Sequence, residues 1–145
     1  MNGIDISNWQ ADLDVTKVQA DFAIIKATEG TGYINPSMSR HIQQAKNAGK
    51  LIGLYHFMNT TNAVAQADFF IKNVQAYLKE AILVLDFEAD AIDAHGVAGA
   101  KAFLDRVKEK TGVAALIYMS ASVTDNLTGR QSLKIMRYGW HSMQI

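Results

Sequence analysis

Five short apolar runs, separated by segments of helical period, constrain this chain more than any other feature of it. The runs are Gly3 to Ser7, Phe22 to Ala27, Leu51 to Phe57, Ile82 to Glu88 and Ala114 to Ser120. They are rich in Ile, Leu, Val and Tyr and too apolar on both faces for a half-solvated antiparallel sheet, so they read as buried parallel strands. Between them, Pro36 marks a first helical position, followed by residues through Ala45 and a stop at Gly49. A second helix is predicted from about Ala63 to Leu78, where Ala67, Phe70, Ile71, Val74 and Leu78 recur at three- and four-residue steps. A third follows Gly96, with Val97, Ala100, Phe103, Leu104 and Val107 in phase, and ends near Gly112. The first connection, Ala11 to Ala20, has room for two turns at most. Such alternation implies right-handed crossovers and a parallel sheet. Five units fit an open doubly wound sheet or part of a barrel, and no GxGxxG after the first strand favours a dinucleotide fold.

Composition narrows the function classes. A length of 145 residues, 49 % of them hydrophobic, supports one domain with a real core. It is short for a complete eight-stranded barrel, which usually needs well over ~200 residues. Fourteen basic residues balance fourteen acidic ones, so no global field draws the chain to nucleic acid or an anionic membrane. The absence of cysteine excludes a disulfide scaffold, a thiol nucleophile and a thiolate metal site. His41, His56, His95 and His141 are scattered and form no metal motif, and no cofactor is expected. The start, Met1-Asn2-Gly3-Ile4-Asp5, lacks a basic stretch leading into an apolar run, and no apolar stretch approaches the ~18 residues of a membrane span. The expectation is synthesis in the cytoplasm without a signal peptide.

In parallel α/β folds the C-terminal ends of the strands face the ligand. Here those ends are acidic and aromatic: Asp5 to Gln10, Lys26 to Gly30, Tyr55-His56-Phe57, Asp86-Phe87-Glu88 and Tyr118-Met119-Ser120. Asp86 and Glu88 project from the same face of a strand, roughly 7 Å apart at the backbone. Two carboxylates so placed repel each other, which raises at least one pKa and keeps a proton in the site near neutrality. Glycosidic cleavage needs such a pair, although a solvated strand end would show the same spacing. Asp5 reads equally as a site carboxylate or as an Asx cap of the following turn. Lys26 and Glu29 fit a surface pair, His56 a core histidine, and Trp9, Tyr55 and Tyr118 core aromatics. Taken together at successive strand ends, they describe an acidic cleft with aromatic faces, the usual surface for holding a sugar.

Several strings follow one another in a known order and spacing. They are Gly3-Ile4-Asp5-Ile6-Ser7 with Trp9-Gln10, Phe22 through Gly30, Tyr33, Ala48-Gly49, Gly53-Leu54-Tyr55-His56-Phe57, Leu85-Asp86-Phe87-Glu88 and Ile117-Tyr118. From about residue 2 to about 128 the chain resembles the family-25 glycoside hydrolases, the phage-type lysozymes or endolysins. The resemblance implies an irregular (β/α) TIM-like barrel, here partial, with about five parallel strands and the family's last strands missing. It also implies a muramidase cutting the β-1,4 bond from N-acetylmuramic acid to N-acetylglucosamine in peptidoglycan. By motif Glu88 matches the general acid, Asp86 its partner that stabilises the charged intermediate or orients the acetamido group, and Asp5 a third acidic residue of the cleft. Tyr55, His56, Lys26, Glu29, Trp9 and Tyr118 are the expected substrate contacts. The family's fourth acidic residue, near the C-terminus, has no counterpart here.

The chain thus divides into 1–128, an incomplete muramidase-like domain, and 129–145, a tail without apolar alternation. Shifted by one base, codons for this tail can be chosen that spell Ala-Leu-Trp-Val-Ala-Gln-Tyr-Ala across Met136 to Gln144, with two of the alanines forced; the resemblance implies a strand of this kind here, so a frameshift between about Gly129 and Lys134 is the expectation. An open barrel edge would then favour self-association, and the alternative function is an inactive or merely glycan-binding remnant.

Overall fold

The computed structural model describes residues 1–120, so the tail and its expected departure from the family lie outside the described residues. The chain begins with β1 (Gly3–Ile6) and two 3-10 turns, Asn8–Gln10 and Val15–Lys17, then β2 (Phe22–Glu29), β3 (Tyr33–Ile34) and α1 (Met38–Asn47). There follow β4 (Leu51–Phe57), α2 (Ala63–Val74), a 3-10 turn at Gln75–Tyr77, β5 (Ala81–Asp86), α3 (Asp90–Thr111) and β6 (Leu116–Tyr118).

The main sheet runs β1-β2-β4-β5-β6, and every neighbouring pair in that order is parallel. Strands that lie side by side in chain order wind in one direction. A doubly wound sheet would reverse its order at a switch point, so the choice left open by periodicity falls to the barrel type of winding. The sheet is not closed: among the described residues β1 and β6 are its edges.

Alternation along each strand sorts the side chains into two layers. Ala23, Ile25 and Ala27 of β2, Leu54 of β4, and Leu83 and Leu85 of β5 are fully buried and join one core with Ile42, Phe70, Val74, Phe103 and Val107 of the helices. The other face carries Asp5, Ile24, Lys26, Gly53, Tyr55 and Asp86. Gly53 is required there because a Cβ would overlap the Ile24 side chain lying across it.

The elements differ from expectation where the signal is short or interrupted. β3 pairs antiparallel with the end of β2, Thr28 opposite Ile34 and Glu29 opposite Tyr33, and two residues are too few to show a period. α3 begins at Asp90 rather than after Gly96, and Gly96, at φ 56° and ψ −162°, interrupts it. Pro36 stands in a turn before α1, where Asn35 Oδ1 accepts from Ser37 N at 3.0 Å.

Candidate active site

The parallel register brings the predicted strand ends to one level of the sheet. Lys26 lies opposite Tyr55, Phe57 opposite Asp86, and Asp86 opposite Tyr118. Past the end of β5 the alternation continues. Phe87 is fully buried, its N–H donating to Tyr118 O at 2.9 Å, so Glu88 returns to the same side as Asp86. On the other flank Met58 N donates to Asp86 O at 3.0 Å. Ala89 then takes φ 52° and ψ −136°, a conformation that L residues rarely adopt and that costs ~1–3 kcal/mol. This strained residue swings the chain into α3 directly after Glu88.

Glu88 lies close enough for its charge to act on both Asp86 and Asp5. Burial does most to push Asp86 well above the usual carboxylate range; a hydrogen bond to the Glu88 side chain and the charges of Glu88 and Asp5 add to it, and Lys26 opposes them. Among the described residues no N–H or hydroxyl donor reaches the buried Asp86 Oδ1. Asp5 is pushed up to about 6, first by burial and then by the Glu88 charge, again against Lys26. Asp5 keeps surface open to solvent at the mouth of the cleft, while protein packed around the rest of its carboxyl accounts for the larger part of that shift. It is not the cap of the following turn: Ser7 and Gln10 form that capping box themselves. Tyr55 is raised by burial and then by Asp5, Asp86, Glu29 and Glu88, so it remains a phenol. Tyr118 shifts the same way by burial and the charges of Glu88, Asp86 and Asp5.

Lys26 is the cation within this acidic group. Its Nζ lies 2.6 Å from Glu29 Oε2, 4.8 Å from the centre of the Phe57 ring and 5.3 Å from that of Tyr33. Ion pairing and two ring faces hold it in place. Trp9 stands on the turn after β1, beside Lys26 and Glu29.

His56 departs from the expectation that it contacts substrate. The step of one residue from Tyr55 turns it to the helix side, where it is fully buried and stacked 5.0 Å from the Phe103 ring. Gln66 Nε2 donates to Asn59 O at 3.1 Å and Thr61 O at 2.6 Å, so Gln66 Oε1 is an acceptor. His56 Nε2 therefore donates to Gln66 Oε1 at 3.0 Å, and Nδ1 accepts from the Thr28 hydroxyl at 2.7 Å. Burial pushes its pKa down to about 4, against the Gln66 bond, and the ring is a neutral core group. Reasoning from sequence overlooked Asn8 and Tyr33, which line a hollow of about 230 Å³ with Ser7, Trp9, Lys26 and Glu29. No periodicity marks a two-residue strand. Among the described residues no group of three or more His, Asp or Glu side chains is placed to hold a metal, and no helix is long and apolar enough to cross a membrane.

Two neighbouring carboxyls with a third acting on them, at the C-terminal ends of parallel strands, match the arrangement that glycosidic cleavage needs. Comparison with known proteins agrees: the chain belongs to the glycosyl hydrolases of family 25, whose model matches residues 4–141 and so extends into the expected tail. It is 34 % identical to an N,O-diacetylmuramidase of Chalaropsis sp over 91 % of this chain and 72 % of that one. It is 31 % identical to lysozyme M1 of Streptomyces globisporus over 89 % of this chain, and spans about half of that relative's length, 49 %. The fold superposes on the bacterial lysozyme of Streptomyces coelicolor with a TM-score of 0.77 at 32 % identity, covering 88 % of this chain and 66 % of that structure.

Proposed function

We propose that this chain is a peptidoglycan muramidase, hydrolysing the β-1,4 bond from N-acetylmuramic acid to N-acetylglucosamine in the bacterial cell wall. The observation that carries the reading is the placement of Asp86 and Glu88 on the open face of the sheet, where burial and the charges of Glu88 and Asp5 raise the Asp86 carboxyl. In this reading Glu88 passes a proton to the leaving oxygen as the glycosidic bond breaks, and the raised Asp86 carboxyl beside it is the store from which the pair supplies that proton. The donation leaves both carboxylates charged just as positive charge develops at the anomeric carbon. The repulsion that adds to the effect of burial on Asp86 is then relieved by the substrate, so the arrangement stabilises the transition state more than the ground state. Asp86 steadies the oxocarbenium-like centre or the acetamido group, with Asp5 adding negative charge across the cleft. Water supplies the hydroxyl to the anomeric carbon and returns a proton to the pair.

Tyr55, Lys26, Glu29, Trp9 and Tyr118 are the substrate contacts in this reading, with the two tyrosines as neutral hydrogen-bonding groups. The test is clearance of Gram-positive wall suspensions by the purified chain, with the newly formed reducing ends identified. New ends on N-acetylmuramic acid are expected. Ends on N-acetylglucosamine would change the bond, and wall binding without new ends would leave a glycan-binding remnant.

A further inference from the structure

We propose that Trp9 and Tyr33 frame a second sugar subsite, beyond the carboxyl cluster, which takes an N-acetylated hexosamine ring of the glycan strand away from the bond being cleaved. The inference rests on the muramidase reading for the identity of the sugar and on the structure for the subsite.

Trp9 is 92 % exposed. Tryptophan is among the residues most buried on average, and a fully hydrated indole is unusual unless something covers it during function. Its turn is nonetheless held from several sides. Ser7 Oγ accepts from Trp9 N at 3.2 Å, and Ser7 N donates to Gln10 Oε1 at 2.9 Å. From α1, Ser37 Oγ donates to Asn8 Oδ1 at 2.8 Å. An aromatic face so fixed binds a flat partner without first losing backbone freedom.

Opposite it, the β2–β3 hairpin presents Tyr33, 40 % exposed. The hollow between them, about 230 Å³, has room for one pyranose ring, and its remaining lining is polar: Ser7, Asn8, and the Lys26–Glu29 ion pair. Among the described residues neither the Asn8 amide nitrogen nor the Trp9 indole N–H has a partner, so both can donate to sugar hydroxyls or an acetamido carbonyl. An aromatic platform with donors and acceptors at its rim is what a hexosamine requires, since its C–H face stacks while its edges hydrogen-bond. Lys26 links this hollow to the carboxyls, because its charge also acts on Asp5 and Asp86.

The test is calorimetric titration with the N-acetylglucosamine hexamer in a Glu88→Gln background, which blocks turnover. Trp9→Ala is expected to weaken hexamer binding about tenfold, Trp9→Phe to recover most of it, and Tyr33→Ala to weaken it less. Because Trp9 is 92 % exposed, its removal should leave the melting temperature unchanged. Equal hexamer affinity with and without Trp9, or no hexamer binding at all, would overturn the subsite. Wall lysis by the chain with Glu88 intact is scored separately. Lysis together with unchanged binding in Trp9→Ala defeats the subsite alone, whereas binding lost in Trp9→Ala without any lysis supports the subsite and defeats the muramidase reading.

Discussion

His56 and Asp86 sit at nearly the same height on neighbouring strands, one pointing into the helix layer and the other into the cleft. His56 is paired opposite Leu85 and Asp86 opposite Phe57, one step apart along the same ladder. Both are polar groups taken largely out of water, yet their treatment differs. On the helix side each His56 nitrogen has a partner, and Gln66 is itself tied to Asn59 and Thr61. On the open side Asp86 is crowded by Glu88 and Asp5, and its Oδ1 lacks an N–H or hydroxyl donor among the described residues. A satisfied buried polar group contributes to folding; an unsatisfied, charge-crowded one is tolerated where a proton has to be held and released.

The largest expected effect falls on the open side. Glu88→Gln should lower hydrolysis by ~10²–10⁴-fold, as removal of a general acid does, with glycan binding and far-ultraviolet circular dichroism retained. Near-normal release of reducing ends by that variant would remove the central assignment.

On the helix side the loss should appear in stability instead. His56→Leu strands the Thr28 hydroxyl and one bond of Gln66 in the core, and a loss of ~2–4 kcal/mol is expected in urea denaturation. Turnover per folded molecule should stay at the wild-type value; a drop in turnover at unchanged stability would place His56 in the site after all.

Asp5→Asn and Asp86→Asn sharpen the same contrast, each lowering activity about tenfold to a hundredfold while stability holds or rises by up to ~1 kcal/mol. The pH dependence has a definite sign. With Asp5 at about 6 in the folded chain against 3.8 in its ordinary state, the folded form holds this proton more tightly. The associated stability is complete below 3.8 and is lost as pH rises through about 6. The melting temperature of Asp5→Asn should therefore gain on that of the wild type across this interval. A gap that stays constant with pH would mean that Asp5 is not the titrating group.

The smallest effect concerns backbone strain beside Glu88. Ala89→Gly should stabilise the fold by up to ~1 kcal/mol, because glycine adopts φ 52° without a Cβ penalty. A melting temperature that falls instead would show that the extra freedom of glycine in the unfolded chain outweighs the relief.

Much of this was legible along the chain. Buried strands declare themselves by continuous apolar runs, and β4, at Leu51–Phe57, matches its expected bounds. Asp86 and Glu88 could be placed on one side from their spacing alone. The short β3 and the Asn8–Tyr33 hollow could not, because they depend on which segments meet and not on any local period. His56 shows the limit most clearly. Its neighbours in sequence, Tyr55 and Phe57, turn toward the cleft, and the motif containing all three offers no way to tell one face from the other.

What the sequence determined by itself is the inventory: parallel strands from unbroken apolar runs, helices from their period, and acidic and aromatic residues concentrated at strand ends. Only the tertiary structure decided the one-directional winding of the sheet, the face each strand residue takes and the partners each buried polar group finds. The physical reason is that hydrophobic periodicity is a local quantity, whereas burial, pairing and the ionisation they control depend on residues brought together from six strands and three helices.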